Sequence, residues 1–167
     1  LEPLVVTGRI SRASGDVAAF YDRMDRGRRF GIGTFISRQD IEERMALRPT
    51  DLFRGRASVR TVRGRGGRGD ALRMAGGCAP AVFIDGSHLN RFNPDDSLDD
   101  YVAVHSIEGI EIYRGAGATV GRFHDPRGCG LILVWTRRGL AEGEGKAFSW
   151  KRLGAGLAII GVLFLLK

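Results

Sequence analysis

The sequence predicts an α+β domain: a small mixed or antiparallel sheet with short helices, followed by a C-terminal apolar helix. Three apolar strand-like runs are present, Ala81–Ile84, Ile107–Tyr113 and Leu131–Trp135. Asp85-Gly86 follows the first and Gly115 the second, both turn formers. The helix signals are brief. Ser37-x-x-Asp40 resembles a capping box, and Pro49 opens a short segment that Gly55 ends. Glycine, at 25 of 167 residues, favours turns and short strands over a long bundle, while 43% apolar residues are enough for a core. Short helices mixed with hairpins fit two layers around one core.

Taken in order, residues 1–15 read as an extended amino-terminal segment and 16–139 as the domain. Asp16 to Asp25 is expected to form one or two helical turns, broken by Arg26-Gly27-Arg28-Arg29. Phe30 to Ile36 reads as a glycine-softened strand. In the helix after Ser37, Ile41, Met45 and Leu47 are expected to face the core. Ala57 to Arg63, with Val59 and Val62, should pair with Ala71–Met74 across a loop from Gly64 to Gly69. Asp95 to Tyr101 reads as a short acidic helix behind Pro94. No internal repeat is present.

Residues 140–149 read as a linker, rich in glycine and charge, and 150–167 as a membrane-associated helix. Leu153 to Leu166 carries no charge, and Leu153, Leu157, Ile159, Ile160, Leu163, Phe164 and Leu166 would make it apolar on every face. As a helix it would span ~21 Å at 1.5 Å per residue. That is short of a bilayer core of roughly 30 Å. Trp150, Lys151 and Arg152 fit an interfacial anchor, so insertion, full or partial, is the expectation. A buried core or oligomer helix is the competing account.

The net charge of +7 requires an anionic partner to be considered. Seven arginines fall between Arg54 and Arg73 against one acid, Asp70, and six of them (Arg54, Arg56, Arg60, Arg63, Arg65, Arg68) are the expected partner-contact residues. An anion-facing surface and a solvated strand face with its loop are both open. Nucleic acid is not expected, because no aromatic follows Phe53 in this stretch to stack on bases. Gly64-Arg-Gly-Gly-Arg-Gly69 satisfies G-x-G-x-x-G, but a dinucleotide site needs a helix opening at the last glycine, and Asp70–Gly77 is too short and glycine-bounded for one.

Metal and catalytic chemistry find no pattern. His88, His105 and His124 lack i,i+3 or i,i+4 spacing, and Asp95, Asp96, Asp99 and Asp100 lack EF-hand spacing. No serine or cysteine sits in a nucleophile motif with a base. A non-enzyme with no cofactor and no small-molecule ligand is therefore expected. Cys78 and Cys129 are either a disulfide, which export would favour, or two buried thiols in a reducing compartment.

Five motifs occur in order: Phe35-Ile-Ser-Arg-Gln-Asp-Ile-Glu42, Thr50-Asp-Leu-Phe-Arg54, Val82-Phe-Ile-Asp-Gly86, Ile107-Glu-Gly-Ile-Glu-Ile-Tyr-Arg-Gly115 and Cys129-Gly-Leu-Ile-Leu-Val-Trp-Thr-Arg137. Together, over roughly residues 4–139, they resemble the plug domain of TonB-dependent outer-membrane receptors. The cysteine placement also resembles a subset of plugs with paired cysteines. The resemblance implies a small mixed sheet with short helices on the periplasmic side. It also makes Leu4, Val5, Val6 and Thr7 look like the energy-coupling box before such plugs. Where that family expects a Pro-Gly-Val turn, this chain has Arg56-Ala57-Ser58-Val59, and only 28 residues follow Gly139, too few for the receptor's barrel.

The resulting expectation is a plug-like accessory subunit without a barrel. It would sit on the periplasmic face of a membrane, the inner favoured over the outer, tethered by its C-terminal helix. Its partners would be lipid and the other subunits of a membrane complex, a photosynthetic reaction-centre and antenna assembly being one candidate host. The alternative is the plug part of a truncated or split TonB-dependent transporter.

Overall fold

The computed structural model describes residues 15–64, 69–90, 93–115 and 118–137. Its centre is a five-stranded sheet in the order β1-β6-β9-β4-β5, built from β1 (Thr34–Ile36), β4 (Ala81–Ile84), β5 (Ser87–His88), β6 (Ile107–Arg114) and β9 (Gly130–Thr136). All neighbours are antiparallel except β4 and β9, which run parallel from Ala81 opposite Leu131 to Ile84 opposite Val134. The sheet is therefore mixed, as the sequence predicts. Two hairpins stand outside it, β2 (Val59–Arg63) with β3 (Asp70–Met74) and β7 (Thr119–Val120) with β8 (Phe123–His124).

Every residue of β9, and all of β6 but Arg114, is buried. Strands covered on both faces show continuous apolar runs rather than alternation, as Leu131–Trp135 does. In Ile107–Tyr113 the run is interrupted by the buried Glu108 and Glu111. On one face, Ile36, Ile110, Ile112, Ile132 and Val134 meet Ile41, Leu52, Phe53, Val59, Leu72 and Met74 from the connecting helices and the β2–β3 hairpin. On the other, Phe35, Leu131, Leu133 and Trp135 meet Val17, Phe20 and Met24 of α1 (Gly15–Phe30). Each such side chain, fully buried, contributes ~1.5–3 kcal/mol.

Helix α1 is longer than predicted. It does not break at Arg26-Gly27 but runs sixteen residues to Phe30. Val17, Phe20, Tyr21 and Met24 keep one face on the sheet, with Asp16 in the first turn and Arg28 and Arg29 in the last, each matching the helix dipole. Gly27 is retained for space: a Cβ there would lie 2.2 Å from the Phe35 ring and 2.5 Å from the Ile32 carbonyl. The expected strand over Phe30–Ile36 shrinks to β1, and Phe30 and Ile32 are exposed at 67% and 61%.

Helix α2 (Arg38–Arg44) has the predicted capping box: the Ser37 hydroxyl accepts from the Asp40 amide at 3.3 Å, and the Asp40 carboxylate accepts from the Ser37 amide at 2.7 Å. Ile41 is buried as expected. Met45 and Leu47 are not, at 84% and 91% exposed, because α2 ends at Arg44 and Met45 turns the chain away in the left-handed region at φ 45°. Pro49–Phe53 forms a 3-10 helix. The acidic helix predicted over Asp95–Tyr101 reduces to a 3-10 turn at Leu98–Asp100, capped by the Ser97 hydroxyl. Asp85 (φ 45°) and Gly86 (φ 87°) form a two-residue hairpin loop with both φ positive, the geometry that Asp-Gly pairs favour.

Candidate functional site

The two cysteines are bonded. Cys78, in the turn after β3, joins Cys129, the residue before β9, with Cα atoms 5.9 Å apart. The bond ties the outlying β2–β3 hairpin to the start of the central strand. Asp125 shapes the approach: one carboxylate oxygen accepts from the amides of Cys129 (2.7 Å) and Gly130 (3.0 Å), the other from that of Arg127 (3.1 Å). Burial alone would raise this carboxyl's pKa, but the three amides and the Arg127 charge hold it below the usual aspartate range. The sequence marked the cysteines and gave no sign of Asp125.

Beneath α1 lies a charged network. Glu111, wholly buried on β6, accepts from Arg23 at 2.6 and 2.9 Å, from the Tyr113 hydroxyl at 2.6 Å and from the Trp135 indole at 2.5 Å. Four donor contacts satisfy the carboxylate, and Arg23 makes a two-pronged bond from α1 across to the sheet. Burial, then Glu111, push the Tyr113 hydroxyl well above its ordinary pKa. The Tyr21 hydroxyl, which donates to Glu108 at 2.5 Å, is raised in the same way. No motif flagged Arg23, and Glu111 sits within the Ile107–Gly115 motif without being singled out. The only clue in the sequence is an acid inside an apolar strand.

The predicted partner-contact arginines do not act alike. Arg54 pairs with Asp51 at 3.1 Å, Arg56 donates to the Leu52 carbonyl at 3.2 Å, and Arg60 donates to the Ala75 carbonyl. Arg63 is exposed at the end of β2, while Arg65 and Arg68 lie outside the described residues. The Gly64 amide donates to the Gly69 carbonyl at 3.1 Å and Asp70 opens a strand, so the glycine motif closes a hairpin and starts no helix. Three of the four acids of 95–100 are engaged: Asp95 by Arg73, Asp96 by Asn93 and Asp99 by the amide and hydroxyl of Thr50.

Two grooves carry exposed apolar side chains. One, of about 580 Å3, runs past Phe30, Ile32, Arg26 and Arg114. The other, of about 500 Å3, runs past Met45, Leu47 and Val104. Both contain basic residues.

Comparison with known proteins decides the family. A family model, the TonB-dependent Receptor Plug Domain, matches residues 32–124, more than half of the chain. The chain belongs to that plug family. Among curated proteins none matches it. The siderophore receptor PirA from Acinetobacter baumannii is 21% identical to this plug over 63% of the chain and 17% of the receptor, with a TM-score of 0.50. PirA from Pseudomonas aeruginosa is 20% identical over 64% and 18%, with a TM-score of 0.43. The ferric enterobactin receptor from P. aeruginosa is 18% identical over 63% and 17%, with a TM-score of 0.48. At these identities the likeness is one of fold. The plug spans less than a fifth of the length of each receptor.

The coupling-box-like residues Leu4, Val5, Val6 and Thr7, and the tail residues Trp150 to Leu166, lie outside the described residues of the plug. Among the described residues no helix is long and apolar enough to cross a membrane.

Proposed function

We propose that this chain is the plug of a TonB-dependent outer-membrane transporter, facing the periplasm and seated in a barrel carried by the same protein or a separate chain. The family match over residues 32–124 carries the reading. The architecture supports it: a sheet buried on both faces and stapled by Cys78–Cys129 resists deformation, as an occluding domain must. The plug's work is mechanical rather than enzymatic. Plug membership favours the outer membrane over the inner. The siderophores named for the structural neighbours are not carried over at 18–21% identity.

The test is binding of the coupling protein to the Leu4–Thr7 segment. Val5→Pro or Val6→Pro should abolish it, since proline removes an amide donor that binding by strand addition would use. Absence of any interaction between residues 1–9 and that protein would remove the reading.

A second reading, an accessory subunit holding a membrane complex together, is favoured by the apolar run Leu153–Leu166. It requires the chain to fractionate with the inner membrane and a truncation lacking residues 140–167 to be released. No described residue points to a photosynthetic host.

A further inference from the structure

The arginines of this plug differ in whether a carboxylate neutralises them. Arg23, Arg38, Arg48 and Arg73 spend their charge on carboxylates: Glu111, Glu42, the Asp51–Asp70–Asp99 trio and Asp95. Arg44, Arg56 and Arg60 are instead held by main-chain carbonyls, those of Arg54, Leu52 and Ala75. A carbonyl fixes a guanidinium without neutralising it. Arg56 is half-buried, and burial, then the nearby Arg44 charge, depress its pKa, with Asp40 only partly offsetting them. Asp40 is itself committed to Ser37 and Arg28, and Asp51 is the ion-pair partner of Arg54.

Two of these, Arg56 and Arg60, meet at one place, beside Arg54. A groove of about 510 Å3 between the end of the 3-10 helix and β2 is lined by Arg54, Arg56 and Arg60, with Phe53 and Val59 beneath and no acidic residue among its described lining. We propose that this groove is a receptor for a phosphate group. A single carboxylate satisfies one guanidinium fork. A phosphate monoester presents three terminal oxygens and a charge of roughly −1.5 to −2, enough for several forks at once. Arg56 and Arg60 are already positioned by main-chain carbonyls, so little of their side-chain ordering remains for binding to supply. The proposal is independent of the transporter reading, since it rests on the groove alone.

The test uses the full 167-residue chain at fixed ionic strength, followed by the arginine Nε–H resonances. One arm titrates inorganic phosphate, the other dihexanoyl phosphatidic acid below its micelle concentration. Saturable shifts at Arg56 and Arg60 are expected in at least one arm, with affinity at least fivefold weaker in Arg56→Gln and in Arg60→Gln and unchanged in Arg122→Gln, which lies elsewhere. Arg60 is exposed, so Arg60→Gln reads out even if Arg56→Gln misfolds. Saturation by phosphate alone identifies the free ion as ligand, and saturation by the lipid alone identifies a headgroup. No saturation in either arm, or equal affinity in Arg60→Gln, overturns the proposal.

Discussion

The Trp135 indole donates to the Glu111 carboxylate at 2.5 Å in the middle of the sheet, with both residues excluded from solvent. The contact bridges neighbouring strands β9 and β6, and Arg23 adds α1 to the same carboxylate. Glu111→Gln leaves the Arg23 charge facing a neutral amide and the Trp135 and Tyr113 donors competing for one oxygen. The expected loss is about 3 kcal/mol, typical of breaking a buried pair from one side. A urea melt should show a lower midpoint at unchanged slope. An unchanged midpoint would mean that the network contributes nothing to stability.

The Cys78–Cys129 bond closes a loop with a sequence separation of 51. Replacing both cysteines by alanine should cost about 4 kcal/mol on the chain-entropy account. Guanidinium unfolding of the oxidised chain with and without reductant should reproduce the same difference. Loss confined to the β2–β3 hairpin, seen as local hydrogen exchange, would show instead that the staple acts regionally.

Asp125 makes stability depend on acid. Its pKa is lower in the folded chain than in the unfolded one, so its contribution is complete above the unfolded value of about 3.9 and disappears as pH falls through the folded value. Asp125→Asn should lose about 2 kcal/mol at neutral pH, because an amide presents one acceptor to several amide donors. The gap between variant and parent should narrow below about pH 4. A gap that stays constant from pH 7 to pH 2 would refute the assignment.

Gly109 lets α1 lie close to the sheet, since a Cβ there would stand 2.3 Å from the Phe20 ring. Gly109→Ala should cost about 1–3 kcal/mol by overpacking. Adding Phe20→Ala should make the pair less damaging than the sum of the single changes, because the clash partner is gone. Strict additivity would place the two residues out of contact.

The sequence made the large features legible because they rest on local chemistry. Both long central strands, the Asp85-Gly86 turn, the Ser37–Asp40 box and the β2–β3 hairpin were predicted, and five ordered motifs pointed to the family. Failures came where distant packing overrode local preference. Gly27 reads as a helix breaker until Phe35 is seen against it. Met45 and Leu47 read as core residues until the chain turns at the end of α2. Glu111 and Asp125 were missed because the partners that make a buried acid tolerable come from other elements. The arginines between Arg54 and Arg73 stand out in the sequence as a group, but only the structure shows which acceptors Arg54, Arg56 and Arg60 meet.

The strand order has a bearing on how the domain is made. Strand β9, last in chain order of the five strands of the central sheet, is the one that both β6 and β4 need as a neighbour. A nascent chain stopped short of Gly130 would carry two open edges side by side and an unmated Cys78. Both conditions invite association with the wrong partner. The keystone comes last within the sheet, so the edges of β4 and β6 stay open until the segment through Thr136 is in place.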